Sequence, residues 1–250
     1  MHCVHIFIEE TMKLSALSDA NRVRLTRRML LLGSGSLALT GCMSTPKPEP
    51  KPVEPPRVRP AMYDAVPGER FEVPAVDVSQ MAPKWWRKEV DYFTDEKPGT
   101  LVVETGEKYL YHVMPNGRAM RYGIGVGRDG FSWQGRATIA YKREWPRWTP
   151  PDSMVARQPE LEPYSIANGG MDPSATNPMG ARALYIHQNG RDTLYRVHGT
   201  HQPWSIGRSI SSGCIRLINQ DIIHLYNNVR DGSTLVVNHG DAPDLSVMAG

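Results

Sequence analysis

With 250 residues, 40% of them hydrophobic, the chain is long enough for one packed domain with appendages. Its 29 Lys and Arg stand against 26 Asp and Glu; five of the basic and three of the acidic residues fall in residues 1–42, leaving 24 against 23, a net of +1, beyond them. That balance carries no electrostatic footprint of a nucleic-acid binder, and 21 Pro with 22 Gly point to a loop-rich β protein or a long linker.

The first predicted element is a leader. Arg27-Arg28 precede the apolar run Met29–Leu39, which is too short to span a bilayer as a helix. A basic stretch before a short apolar one reads as an export signal, and the paired arginines suggest the twin-arginine route. Leu39-Thr40-Gly41-Cys42 is similar to a bacterial lipobox, which would make Cys42 the lipidated N-terminus of the exported protein and residues 1–42 its signal peptide. An ordinary cleaved signal and a short membrane anchor are the alternatives, and Met12 is a second possible start. On this reading Cys3 is removed and Cys42 carries lipid, so Cys214 is the one free thiol left. An unpaired cysteine in an oxidising compartment signals reactivity.

Residues 43–60 (TPKPEPKPVEPPRVRP at their core) cannot build a core and favour polyproline II. At about 3.1 Å per residue they would reach about 55 Å from a membrane. Residues 61–97, with Trp85, Trp86, Val90, Tyr92 and Phe93, read as an extension that packs on the edge of the domain through a short helix or turn around Pro83–Val90.

The domain proper is predicted over residues 98–239, with 240–250 as a tail. Strands are expected at Thr100–Glu104, Tyr109–Met114, Ala119–Val126 and Ala137–Tyr141, with turns at Gly106 and at Pro115-Asn116-Gly117. Gly125–Gly130 matches the spacing of a dinucleotide-binding loop, but that fingerprint must open a helix and the residues that follow read as a strand. Residues 142–182 form a long Trp-, Pro- and Gly-rich loop, a length usually tied to function; Trp145 and Trp148 are expected to anchor it. Strands Ala183–His187 and Thr193–Val197 flank an Asn189-Gly190 hairpin turn. A helix is expected after Asn219 as N-cap, with Ile222, Leu225, Tyr226 and Val229 on one face and Asp231-Gly232 at its end. Thr234–Asn238 closes the sheet.

The chemistry concentrates in His198–Arg216, HGTHQPWSIGRSISSGCIR. Thiol catalysis needs a sulfur and a base for its proton; Cys214 and His198 supply both across a Pro- and Gly-containing loop that can fold back. Gly213 leaves room for a close backbone approach, and the Gly213 and Cys214 N–H groups could face a developing oxyanion. Isolated Cys and His residues are more often packing residues than catalysts, but the flanking glycines have no use at a packing cysteine.

His-Gly-Thr, a spacer and Ser-Ser-Gly-Cys-Ile-Arg resemble the signature of the L,D-transpeptidases of the YkuD/ErfK type, enzymes that cross-link or edit peptidoglycan. The resemblance extends over Asn177-Pro178-Met179-Gly180-Ala181-Arg182-Ala183-Leu184-Tyr185 and Leu217–Val237, and covers roughly residues 98–239. It implies a mainly β, β-sandwich-like catalytic fold with one short helix after the cysteine loop. It departs in one place: Ser212 stands where many members carry a second His, which bears on substrate positioning. The resemblance also implies the roles. Cys214 is the nucleophile and His198 the general base and acid. The Gly199 carbonyl orients the imidazole, and Gly213 N–H serves the oxyanion. Ser211, Ser212, Met179, Gly180 and Arg216 contact the substrate, a peptidoglycan stem tetrapeptide, with no metal or cofactor. Arg216 fits either a carboxylate clamp or a structural salt bridge. The reaction implied is attack on the diamino acid–D-alanine bond, a thioester, and transfer to an amine to give a 3→3 cross-link. Trimming as an L,D-carboxypeptidase and attachment of a protein to the wall are alternatives within the family. Two readings come from outside it: a metal hydrolase using His198, His201, His187 and His224, and a non-catalytic wall-binding lipoprotein.

Overall fold

In the computed structural model the described residues are 58–127, 134–211 and 213–239, all within the compact unit Val53–Gly250. The leader, Cys42 and most of the Pro-rich linker lie outside them. The strands are β1 (Lys88–Asp91), β2 (Leu101–Glu104), β3 (Tyr109–Met114), β4 (Arg118–Gly123), β5 (Val126–Gly127), β6 (Gly135–Glu144), β7 (Arg182–Gln188), β8 (Arg191–Thr200), β9 (Ser209–Ser211), β10 (Ile215–Ile218) and β11 (Thr234–Asn238). Two α-helices accompany them, α1 (Asp152–Arg157) and α2 (Asn219–Asn228).

Among the described residues, nine strands form one mixed sheet in the order β1-β4-β3-β2-β11-β6-β7-β8-β10, and β5 pairs with β9 beside it. The β3–β4 and β7–β8 hairpins turn through Asn116-Gly117 (φ 62°, 67°) and Asn189-Gly190 (φ 50°, 74°). Two successive positive φ angles give the turn whose twist matches that of the strands, and Asn-Gly reaches it with the least strain. Between β2 and β3 the left-handed residue is Lys108 (φ 63°) rather than Gly106.

Leu101 and Leu110 from one flank of the sheet meet Leu184, Val197, Ile215 and Leu217 from the other in a single apolar cluster, closed by Ile222, Leu225 and Val229. α2 packs on β7, β8 and β10 and reaches β4 through the His224–Tyr122 bond, so it serves both flanks of the sheet. Burying each of these large side chains contributes roughly 1.5–3 kcal/mol. A change of volume here is felt at the cysteine loop, because α2 follows β10 without a linker.

Three expectations are revised. The strand expected over 119–126 breaks after Gly123. A Cβ there would lie 2.4 Å from the Trp85 carbonyl oxygen, and one on Gly125 2.6 Å from that of Ser205. Close backbone approach by neighbouring segments therefore explains the glycines, and Gly125 instead exchanges two backbone hydrogen bonds with Arg216 (2.9 and 2.8 Å). Of the dinucleotide-like spacing, Gly125 and Gly127 sit in or beside strand β5, and 128–130 lie outside the described residues. Asn219 does not cap α2. Ile218 occupies that position with no side-chain bond, and the Asn219 side chain turns to the chain before β7. The long loop carries α1 and a 3-10 helix, Pro159–Tyr164. Trp145 anchors this loop: it is buried, stacks edge-on against Phe71 and donates its Nε1–H to Glu69 (2.9 Å).

Residues 61–97 are integral to the fold. They form 3-10 turns at Ala61–Tyr63, Val78–Gln80 and Pro83–Trp85, then β1, which pairs with β4. Tyr63, Val76, Val78 and Met81 pack with Ile206 and Ile218, on either side of the cysteine loop. Glu69 takes a two-pronged ion pair from Arg182 (2.6 and 2.8 Å). Tyr63 Oη donates to the buried Asp221 on α2 (3.1 Å) and accepts the Arg87 backbone N–H (2.7 Å).

Candidate active site

β8 and β10 run parallel, with Ile215 beside Val197 and Arg216 beside His198. Val197, Ile215 and Leu217 face the core. Strands alternate their faces, so His198 and Arg216 lie side by side on the opposite side of the sheet, and Cys214 sits immediately before β10, within reach of the Arg196 and Arg216 charges. The connection between β8 and β10, residues 201–214, turns at Pro203–Ser205 and passes through β9, and makes this parallel return possible.

His198 is 4% exposed. Its Nδ1 lies 2.8 Å from the Gly199 carbonyl oxygen. A carbonyl can only accept, so Nδ1 carries the proton and Nε2 presents a lone pair. Burial pushes the imidazole pKa down to about 4, the Arg216 charge adds to this, and the Gly199 and Met179 carbonyls oppose it. The ring is neutral at physiological pH and able to accept a proton.

Cys214 is half-buried. Burial pushes its thiol up, against the backbone N–H and charge of Arg196 and the charge of Arg216. Both shifts favour the neutral forms, thiol and imidazole, at rest. Gly213, at φ 124°, is in a conformation that few other residues adopt, and a Cβ there would come 3.0 Å from the Tyr195 ring.

Among the described residues Arg216 forms no salt bridge, one of its two expected roles. Its Nε is buried with no hydrogen-bond partner, and no carboxylate among the described residues pairs with it. An unpaired guanidinium beside a thiol is costly unless a ligand anion completes it. Met179 and Gly180 stand behind His198: the Met179 carbonyl accepts the Gly199 N–H (3.1 Å), and Gly180 (φ 62°) packs directly on Gly199. Ser211 ends β9, and Ser212 lies outside the described residues.

The four histidines weighed as metal ligands are spread through the fold. His224 bonds Tyr122 from α2 (2.8 Å), His187 packs edge-on against Tyr141, and His201 is exposed. The sequence reading missed Arg196 and Asn219. Arg196 was legible in part, since strand alternation puts it on the face of His198; its neighbour across β10 depends on the register.

The site joins a base of fixed tautomer, a thiol and an unpaired guanidinium, the parts of a thiol acyl-transfer centre. A family model, YkuD, the L,D-transpeptidase catalytic domain, matches residues 98–237. The chain belongs to this family. It is 35% identical over 145 residues to the probable L,D-transpeptidase ErfK/SrfK of Escherichia coli, covering 55% of this chain and 43% of that protein. It is 32% identical over 144 residues to a putative L,D-transpeptidase of Fuscovulum blasticum encoded in an ATP synthase subunits region, covering 56% of this chain and 68% of that one. A Brucella melitensis crystal structure described as a probable carnitine operon oxidoreductase is 44% identical, covers 62% of this chain and 94% of its own, and superposes with a TM-score of 0.44. The chain thus spans under half the length of the Escherichia coli relative it matches.

Proposed function

We propose that the protein is a peptidoglycan L,D-transpeptidase with Cys214 as its nucleophile. The carrying observation is the His198 Nδ1–Gly199 carbonyl bond, which leaves Nε2 ready for a proton, beside the Arg216 whose charge also acts on Cys214. Cys214 is also the one cysteine within the family match.

Nε2 of His198 takes the thiol proton as sulfur attacks the carbonyl between the diamino acid and D-alanine of a stem tetrapeptide. The Gly213 N–H, with that of Cys214 beside it, stabilises the oxyanion, a contact worth roughly 3–4 kcal/mol per donor. The C–N bond breaks, His198 returns its proton to the departing D-alanine amine, and a thioester remains. An acceptor amine attacks the thioester, loses a proton to His198, and leaves with the acyl group as a 3→3 cross-link while the thiol is regenerated. Arg216 clamps a stem carboxylate, which would complete its unpaired guanidinium. Met179 and Gly180, which stand behind His198, are the back wall of the substrate approach on this reading, and Ser211 and Ser212 are its further proposed substrate contacts.

Incubation of residues 58–250 with purified disaccharide tetrapeptide, followed by mass spectrometry, tests this reading. Cross-linked dimer with release of D-alanine is the expected result. Tripeptide monomer alone would make the protein an L,D-carboxypeptidase or an attaching enzyme whose acceptor protein is missing. No change at all would favour a wall-binding role.

The reading includes export and a lipid anchor. The twin arginines at 27–28 and the Leu39–Cys42 sequence support it, with residues 43–60 as tether to the periplasmic wall layer. Radiolabelled palmitate should enter the full chain expressed in a Gram-negative host and be lost in Cys42→Ala. Equal labelling of both would overturn the anchor.

A further inference from the structure

The mechanism leaves one buried polar side chain at the site without a role. Asn219 is 3% exposed and is the first residue of α2. Its Oδ1 accepts the Ala181 N–H (3.0 Å). The same oxygen lies against two glycines at once: a Cβ built on Gly180 or on Gly199 would meet it at 2.4 Å. On Gly199 the next contact would be Ile222 Cγ2 at 2.9 Å. Gly199 is thus held from three sides, by Asn219, by Ile222 and by the Met179 carbonyl on its N–H. Its own carbonyl is the acceptor that fixes the His198 tautomer.

We infer that Asn219 is a positioning residue for catalysis, wedged between Gly180 and Gly199 to fix the peptide whose carbonyl orients His198. This rests on the proposed function for its kinetic consequences but not for its geometry. A Gly199 peptide free to rotate would release Nδ1–H, and the ring could then present a protonated nitrogen to the thiol. The chain from α2 to the base is short: Asn219 Oδ1, the Gly199 peptide, Nδ1–H, Nε2. It also explains why two glycines are needed here, since any side chain at either position would displace the amide.

Three variants test it in the soluble protein, residues 58–250. Asn219→Ala removes the wedge and leaves the Ala181 N–H without its acceptor. It should lower kcat about 100-fold, the scale of a misplaced catalytic group, with KM for the tetrapeptide within about twofold, as expected when ground-state binding is untouched. Asn219→Asp keeps an acceptor oxygen in the wedge and should recover most of kcat. His198→Gln assigns the signal of the third readout, the downfield proton NMR resonance of the hydrogen-bonded imidazole N–H. That resonance should be present in the wild type and in Asn219→Asp and absent from Asn219→Ala, under conditions where circular dichroism shows all of them folded.

The proposal is overturned if folded Asn219→Ala keeps the imidazole resonance, if its kcat stays within twofold of the wild type, or if Asn219→Asp is as impaired as the alanine variant. The resonance is read without substrate. Absence of tetrapeptide turnover in the wild type would therefore sink the proposed function while leaving the positioning role to be judged on the resonance.

Discussion

Cys214→Ala is expected to lower D-alanine release from the tetrapeptide by at least about 10⁴-fold, because the proposed acyl intermediate forms on its sulfur and a serine hydroxyl is a far weaker nucleophile at neutral pH. The wild type exposed to a carbapenem, whose strained amide acylates a nucleophilic thiolate, should gain the mass of one inhibitor on Cys214; the variant should gain none. A wild-type mass unchanged by the drug, with Cys214 still titrating as a free thiol, would remove the nucleophile from the proposal.

The pH profile sharpens this expectation. His198 is pushed down to about 4 by burial, so the protonated, inactive ring appears only in strong acid. The acid limb of kcat/KM should have its midpoint near pH 4, well below that of a free imidazole. The sign for stability follows from the same shift. The unfolded chain takes up this proton below its ordinary pKa and the folded chain resists it, so His198 reduces stability progressively as pH falls from about 6.5 to about 4. The thiol is shifted the other way, so iodoacetamide should modify Cys214 more slowly than a free thiol at pH 7. Fast alkylation at neutral pH would point to a resident thiolate and a different resting state.

Glu69→Ala is expected to destabilise the fold by about 3–5 kcal/mol, the range for removing one partner of a buried ion pair. Arg182 is 7% exposed and Glu69 13%, so neither has water to replace the other. Glu69 also accepts the Trp145 indole N–H, which ties the first turn of the long loop to the same carboxylate. Burial pushes the Glu69 carboxyl up, but hydrogen bonds from Arg182 and Trp145 outweigh that and hold it below the ordinary range. A depressed carboxylate contributes stability above its unfolded pKa and loses it as pH falls through the folded value. Urea unfolding followed by tryptophan fluorescence checks both statements. A variant with an unchanged midpoint would show that residues 61–97 are dispensable to the fold; the structure argues instead that a chain beginning at residue 98 loses this pair, β1 and the Tyr63–Asp221 bond together.

That expectation bears on how the chain is divided. The family match begins at residue 98, and the hydrophobic pattern of the sequence reads the preceding segment as an edge covering. Its ionic and hydrogen-bonding contacts with Asp221, Gln220 and Arg182 join residues more than a hundred positions apart. No local pattern records such pairs, because a charged residue in a loop looks the same whether it meets water or a buried guanidinium.

The sequence alone did not show β1, β5, β9 and β10, but it indicated strands β2–β4, β6–β8 and β11, both Asn-Gly hairpins and the amphipathic helix, and it pointed to His198 and Cys214 as the reactive pair. These depend on local quantities: side-chain alternation, φ preferences, and glycines beside two reactive residues. It also pointed to the Gly199 carbonyl as the partner of His198, by resemblance. Only the tertiary structure decided the rest. The parallel register of β8 and β10 places Arg216 beside His198, with its Nε buried and without a hydrogen-bond partner. The breaks at Gly123 and Gly125 come from backbones approaching from elsewhere in the chain. Asn219, a good helix cap by composition, spends its side chain between two distant glycines instead. The difference is physical: propensity is set by a residue and its near neighbours, whereas the use of a buried polar group is set by whichever partner the packed chain brings to it.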